Sequence, residues 1–247
     1  MRTSTSRPAA RSGRTRATTV TALLACPLLA LTTACGGGSD DSDAKATPSA
    51  DRSRSAAPAP TRLEKAALAQ GDLKGYRVTT RKAENWASGQ PKSGTRACQP
   101  LADATGDEPS PAAKETVRRG VNGHKAPYKG VTAGISSYGA AEAKTFMREL
   151  KAALGKCSGG FSTTLSGRTV RYSEVRPEPL KAAGDDSVGY GLTASAQGTK
   201  IPMRVVAVRS GSTVALFMGV DFKGLSEFPV PRVIVDKQLA KLEKAGL

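Results

Sequence analysis

The sequence predicts an α+β domain, in which an antiparallel sheet of about five to six strands carries two or three helices. Two observations point to this class. One long segment has apolar residues at helical spacing, whereas the segments after it alternate apolar and polar residues as strands do. In addition, the short turns Gln197-Gly198 and Ser210-Gly211 separate consecutive apolar strands, which is typical of an antiparallel meander.

Three short helices are predicted early in the domain. Thr61 and Glu64 form a capping box, which predicts a helix through about residue 70. Residues 98–105 and 111–119 are predicted to form two further short helices. The segment 111–119 has a proline at an early helical position, which helices tolerate there. Residues 83–97 are expected to form a loop that holds Trp86.

The clearest helix is predicted over residues 140–156, where glycines follow its end. One stripe of this helix is apolar and marks its buried face: Ala143, Phe146, Met147, Leu150, Leu154 and Cys157. A final helix is expected from Pro231 to Gly246.

The strands are predicted from alternation and from the turns that bound them. Pro177 and Pro179 are expected to end one of them, since proline breaks a strand ladder. The extended segments are expected at residues 75–78, 131–135, 161–165, 169–175, 188–194, 201–208 and 213–220.

The first 34 residues have the layout of a signal peptide. Five arginines and no acid precede an apolar run of residues 17–34, which is shorter and richer in threonine than a membrane span. This leader resembles the secretion signal of a bacterial lipoprotein, which implies that Cys35 is lipidated and begins the mature chain. Two alternatives stay open: a plain signal cleavage beside a chance cysteine, and lipidation at Cys26.

Residues 35–60 are predicted to be a lipidated cysteine followed by a disordered tether. Residues 36–60 are rich in Gly, Ser, Asp, Ala and Pro and lack large apolar side chains, so they cannot bury enough surface to fold. Residues 61–247 are long enough for a single domain. The expected location is therefore the cell membrane, with the lipid-anchored domain facing the extracellular side.

The predicted domain is strongly basic. It contains 29 basic and 17 acidic residues, a net charge of +12. A generally solvated surface explains such a charge, and attraction to anionic lipid headgroups or acidic wall polymers is the functional alternative. Nucleic acid is not expected as a partner, because the leader predicts secretion and tethering and because the aromatic content is only 4%.

Cys98 and Cys157 are the two cysteines outside the leader and the anchor. In an oxidising compartment such a pair favours a disulfide, and two free buried thiols are the alternative. A metal site is not expected, since two cysteines and the single His124 supply too few ligands. No cofactor is expected.

Several short motifs suggest a family. They are Gly71-Asp72-Leu73, Cys98-Gln99-Pro100-Leu101, Ser137-Tyr138 before the long helix, Cys157 at its end, and Val208-Arg209-Ser210-Gly211. In these motifs the sequence resembles surface lipoproteins of high-GC actinobacteria and is more loosely similar to the extracellular sensor-like domain of mycobacterial membrane serine/threonine kinases. The resemblance implies an α+β domain with a cysteine staple and a ligand-binding cleft, and it carries over no binding residue.

No catalytic residue is expected. A Ser-His-Asp arrangement would need His124, which lies in a basic, loop-like stretch. Ser187 lacks the preceding glycine of a nucleophile elbow, and Asp185 and Asp186 fit a solvated turn. The favoured hypothesis is a non-enzymatic surface lipoprotein that binds an unidentified ligand or protein partner. A carrier of lipid or another hydrophobic ligand is the alternative, followed by a hydrolase.

Overall fold

A computed structural model describes residues 59–80, 89–106, 111–181, 183–223 and 226–247. The predicted leader, Cys26, Cys35, nearly all of the tether and Trp86 lie outside these residues. The chain divides into two units, Met1–Ser55 and Ala56–Leu247, and every described residue belongs to the second.

Nine strands of the described residues form one antiparallel sheet. The strands are β1 (Tyr76–Thr80), β2 (Lys92–Ser93), β3 (Glu115–Gly123), β4 (Lys129–Ser137), β5 (Phe161–Leu165), β6 (Arg168–Glu178), β7 (Asp186–Ala196), β8 (Thr199–Ser210) and β9 (Thr213–Asp221). Their order across the sheet is β1-β3-β4-β9-β8-β7-β6-β5-β2.

Helices cover both faces of this sheet. They are α1 (Arg62–Ala66), α2 (Gln99–Asp103), α3 (Ala140–Lys156) and α4 (Arg232–Ala245), and a 3-10 turn at Arg96–Cys98 precedes α2. The predicted apolar stripe of α3 is buried against β6, β7 and β8, together with α2. On the opposite face, α1 and α4 pack over the β3, β4, β8 and β9 region, where Phe217 and Ile234 are fully buried. Burial of this apolar surface is the main stabilising contribution to the fold.

The long helix, the final helix and the meander β7–β8–β9 lie where the sequence predicts them. The strand count of five to six is wrong, because the described residues form nine, and they also form four α-helices rather than two or three. In the described part of the chain, no helix has the length and apolar character that crossing a bilayer requires.

The predicted helix over residues 111–119 is wrong. Residues from Glu115 onward form β3, which pairs along its length with β4. Val117 and Val121 are four residues apart, a spacing that fits one helix face as well as one sheet face. Pairing with a distant strand therefore decided the structure.

The first predicted helix ends earlier than expected, at Ala66. Ala67 is extended, and the next amide, Leu68 N–H, donates to the side-chain carbonyl oxygen of Gln238 at 3.1 Å. The Leu68 N–H, which a longer helix would have bonded within itself, is therefore bonded to a side chain of α4.

Strand β6 continues through Pro177 to Glu178, so the predicted break at Pro177 is also wrong. Pairing with β5 ends at Tyr172, whereas pairing with β7 continues and places Pro177 opposite Tyr190. The second half of β6 is therefore an edge, and edge strands tolerate a proline.

Candidate functional site

Four strands end at the same side of the sheet and bring three loops together there. Tyr76 at the start of β1 pairs with Gly123 at the end of β3, and Lys129 at the start of β4 pairs with Asp221 at the end of β9. The loops before β1, between β3 and β4, and after β9 therefore meet. We call this region the lysine end and define it by Lys74, Tyr76, His124, Lys125, Tyr128, Lys129, Phe222, Lys223 and Phe228.

Backbone hydrogen bonds continue the strand ladder into these loops. His124 N–H donates to the Gly75 carbonyl at 2.9 Å, and Phe222 N–H donates to the Tyr128 carbonyl at 3.0 Å. The loops are thus fixed to one another at the residues next to the strands, which holds their side chains in a defined arrangement.

An open cleft of about 420 Å³ lies within the lysine end. Its lining combines the apolar side chains of Ala126, Phe228 and Pro231 and the ring of Tyr76 with three lysines and His124, and none of the described lining residues is a carboxylate. The lysines are Lys74, Lys125 and Lys129. A cleft of this composition suits a ligand with an apolar or ring-shaped body and a negative charge.

Lysine ammonium groups lie over aromatic rings at this end. Lys223 Nζ is 5.5 Å from the centre of the Tyr128 ring, and Lys129 Nζ is 6.0 Å from the centre of the Phe228 ring. Lys129 also lies 3.8 Å from the buried carboxylate of Asp221. Its charge is therefore partly balanced within the protein.

The other lysines of this region face solvent. Lys74, Lys125 and Lys223 are exposed and form no ion pair among the residues that the structure describes. Their uncompensated charges make this end of the sheet electropositive.

Exposed apolar side chains accompany these charges. In the described part of the chain, three large hydrophobic residues are exposed: Tyr128 at 38%, Phe222 at 60% and Val233 at 52%. Tyr128 and Phe222 are joined by the backbone hydrogen bond above, and Val233 lies two residues after Pro231 of the cleft. Clustered apolar exposure rimmed by charge is typical of an interaction surface.

The segment that carries Phe228 is clamped to the sheet by ion pairs. Arg204, 7% exposed, pairs with Glu178 at 2.7 Å and also with Glu227, which bonds Arg176 at 2.7 Å. Hydrogen bonds from Arg204 and Arg176 hold the pKa of Glu227 below its usual value. The clamp positions the residues directly before Phe228.

Two glycines make room for this segment. A Cβ at Gly191 would lie 2.6 Å from Arg204 Nη1, and a Cβ at Gly219 would lie 2.6 Å from the Phe228 carbonyl oxygen. A larger residue at either position would displace the clamp or the segment.

A second polar cluster lies beside α2 and α3. The structure supports the predicted Cys98–Cys157 disulfide, with an S–S distance of 2.07 Å and a Cα–Cα distance of 5.9 Å. Asp103, buried next to it, accepts a hydrogen bond from the Gln99 amide at 2.7 Å, and burial raises the pKa of Asp103. Burial also raises the pKa of Tyr138 to about 12.

A half-open pocket beside this cluster, between α3 and the sheet, is small. Asp103, Ser136 and Tyr138 are among its lining residues, and its volume is about 20 Å³. This is room for about one water molecule. This pocket, as the described residues line it, is too small for a lipid.

The residues considered for catalysis do not converge. His124 follows the end of β3, whereas Ser187 pairs with Val208 near the start of β7, at the opposite end of the sheet. Among the described residues that line the two clefts sharing His124, there is neither a serine nor a carboxylate.

The two aspartates beside Ser187 have structural partners. Asp185 accepts hydrogen bonds from the Arg209 guanidinium and the Gly211 N–H, each at 2.8 Å, and Asp186 pairs with Lys151. Among the described residues, no three His, Cys, Asp or Glu side chains come together as a metal site would require.

Sequence reasoning noted the basic stretch around His124 but missed the rest of the lysine end. Tyr128 and Phe222 lie in different loops and become neighbours only through pairing of β4 with β9. A helpful signal was the concentration of Lys125 and Tyr128 in the β3–β4 loop with Lys129 directly after it, since charged and aromatic loop residues often serve binding.

The chain matches no protein-family model and no curated protein. Among solved structures it is similar to the extracellular domain of PknH from Mycobacterium tuberculosis, with 9% sequence identity and a TM-score of 0.42. The match covers 69% of this chain and 82% of that domain. A likeness this distant assigns neither a function nor site residues to the chain.

Proposed function

We propose that this protein is a surface lipoprotein, anchored to the membrane through Cys35, whose folded unit binds an anionic partner through the lysine end without catalysing a reaction. The observation that carries this proposal is the meeting of Lys74, Lys125 and Lys223 with exposed aromatic rings at one end of the sheet. The wider net charge of +12 in residues 61–247 attracts the same class of partner over longer distances.

The electrostatics of the lysine end favour a negatively charged partner. The three lysines are exposed to solvent without an ion-pair partner among the described residues, whereas the carboxylate of Asp221 is buried and faces Lys129. Attraction of this kind is strong at low salt and falls as added ions screen the charges over about 8 Å at physiological ionic strength.

The test is binding of the chain from residue 36 onward, which lacks the lipid but contains the whole Ala56–Leu247 unit. Binding is measured by sedimentation with anionic and neutral vesicles and by titration with a soluble polyanion, over a salt series. We expect binding to anionic material that weakens steeply with salt. Equal binding to neutral vesicles, or insensitivity to salt, contradicts the proposal.

Two matched double variants locate the binding surface. Lys125→Gln with Lys223→Gln removes two charges from the lysine end, and Lys114→Gln with Lys244→Gln removes two from exposed positions at the opposite end of the sheet. At about fivefold per lysine, removing the first pair of charges is expected to weaken binding roughly 25-fold. The variant with Lys114→Gln and Lys244→Gln has the same net charge as the first double variant. It is expected to bind with an affinity much closer to that of the unaltered chain.

The anchor has its own test. We expect Cys35→Ala to release the protein from the membrane fraction, because no lipid would be attached. Unchanged fractionation of that variant, with release by Cys26→Ala instead, would assign the anchor to the other cysteine.

A further inference from the structure

We infer that the anionic partner of the lysine end is a bilayer surface, into which the rings of Phe222 and Tyr128 insert between lipid headgroups. This inference rests on the proposed function and specifies its partner. It assigns the membrane a second contact with the protein besides the lipid.

The shape and exposure of the two rings support insertion. Phe222 is 60% exposed, and Tyr128, the loop residue directly before the neighbouring strand β4, is joined to it by the 3.0 Å backbone hydrogen bond. The β4–β9 ladder holds both residues at its end, so they are presented together on a rigid support. Aromatic rings held in this way fit the boundary between headgroups and acyl chains.

The lysines are placed where headgroup phosphates would lie. Lys223 Nζ is 5.5 Å from the centre of the Tyr128 ring, and Lys125 is exposed in the same loop as Tyr128. A lysine close to an anionic leaflet strengthens binding by about fivefold. The arrangement of apolar tip and surrounding ammonium groups is that of an interfacial membrane contact.

The exposed phenyl ring of Phe222 also favours a bilayer over a soluble acidic polymer as the partner. Such a polymer neutralises the lysines but offers no apolar phase for Phe222. A bilayer satisfies both features at once, because apolar surface leaves water as the lysines approach the headgroups.

The position of the anchor permits this orientation. Thr61, close to where the chain enters the folded unit, donates a hydrogen bond to Glu115 at the start of β3. The lysine end lies at the other end of β3, about 26 Å away at roughly 3.3 Å per residue. The predicted tether of about 25 residues has a root-mean-square reach of roughly 25–30 Å, which is enough to span that distance.

The experiment introduces a fluorescent reporter at the inferred contact. Phe222→Trp is made in the chain from residue 36 onward and mixed with anionic vesicles whose acyl chains carry bromine, which quenches tryptophan only at short range. The emission of Trp86 is subtracted using the unaltered chain. Ala112→Trp, at an exposed position near the start of β3, is the matched control.

We expect quenching at position 222 and none at position 112, together with at least fivefold weaker vesicle binding by Phe222→Ser. Because Phe222 is largely exposed, circular dichroism and the thermal midpoint of Phe222→Ser are expected to match the unaltered chain.

Two outcomes overturn the inference, and they differ from failure of the proposed function. If the lysine variants weaken binding while the Phe222→Trp variant stays unquenched and Phe222→Ser binds normally, the lysine end binds anionic material without insertion. If a soluble polyanion binds as tightly as vesicles and Phe222→Ser changes neither, the partner is a polymer. If the Lys125→Gln, Lys223→Gln double variant binds both vesicles and the polyanion as tightly as the unaltered chain, the proposed function itself is wrong.

Discussion

Gln238 joins two backbone segments inside the protein. Its side-chain nitrogen donates to the Ala66 carbonyl at 2.8 Å, and its oxygen accepts from Leu68 N–H at 3.1 Å. The side chain is fully buried, so these backbone groups have no access to solvent. The amide therefore ties α4 to the end of α1 through bonds that water cannot replace.

Removing this amide is predicted to destabilise the protein. Gln238→Leu keeps most of the side-chain volume but leaves one buried N–H and one buried carbonyl without a partner, at a cost of about 2–4 kcal/mol in the free energy of unfolding. Urea unfolding of the variant and the unaltered chain measures the difference. A change below about 0.5 kcal/mol would mean that the two groups find other partners.

Buried tyrosines predict the response to alkaline pH. Burial raises the pKa of Tyr138 to about 12, and that of Tyr190 also lies well above its ordinary value. The unfolded chain therefore releases these phenol protons at lower pH than the folded protein does, so stability falls as the pH rises from about 10 towards 12. The thermal midpoint, followed from pH 8 to 11.5, is expected to fall.

Tyr138→Phe is the matched variant for this prediction. It removes one of the titrating groups, so its thermal midpoint is expected to fall less over the same interval. Parallel curves for the variant and the unaltered chain would assign the alkaline instability to other groups.

The disulfide is the strongest covalent constraint on an element. Cys98 lies directly before α2 and Cys157 directly after α3, and the bridge closes a separation of 59 residues. Closing a loop of this length reduces the entropy of the unfolded chain by an amount worth about 4 kcal/mol. The bridge therefore keeps the short helix α2 against α3.

Replacing both cysteines by alanine is predicted to lower the free energy of unfolding by up to about 4 kcal/mol, measured in urea. The unaltered chain with a reducing agent should lose a similar amount. Two free thiols in the secreted protein by non-reducing mass spectrometry would contradict the bridge.

Sequence reasoning succeeded for elements with a strong local signal and failed where distant contacts decided the structure. The stripe of α3 and the glycine turns of the β7–β9 meander are local, and the predicted elements match the structure closely. Residues 111–119 carry a pattern that fits helix and strand alike, and pairing with β4 made residues 115 onward a strand. Pro177 was tolerated because the pairing of β6 with β5 stops at Tyr172, which no local pattern reveals.

At the scale of the whole molecule, the lysine end differs from the rest of the folded unit in how its basic side chains are paired. Elsewhere several basic side chains are paired, as Arg204 is with Glu178, Arg209 with Asp185, and Lys241 with Asp72. At the lysine end three lysines have no carboxylate partner among the described residues. The composition predicted a basic domain, but only strand pairing revealed where unpaired charge and exposed rings coincide.

Hydrogen–deuterium exchange of the chain from residue 36 onward, with and without anionic vesicles, tests the central claim most directly. Binding through the lysine end predicts slower amide exchange in peptides that cover residues 71–76, 124–129 and 222–223. Exchange across α2 and α3 should stay unchanged. Protection of the α2–α3 face instead, or no protection at the lysine end under conditions where the chain is bound, would contradict the account.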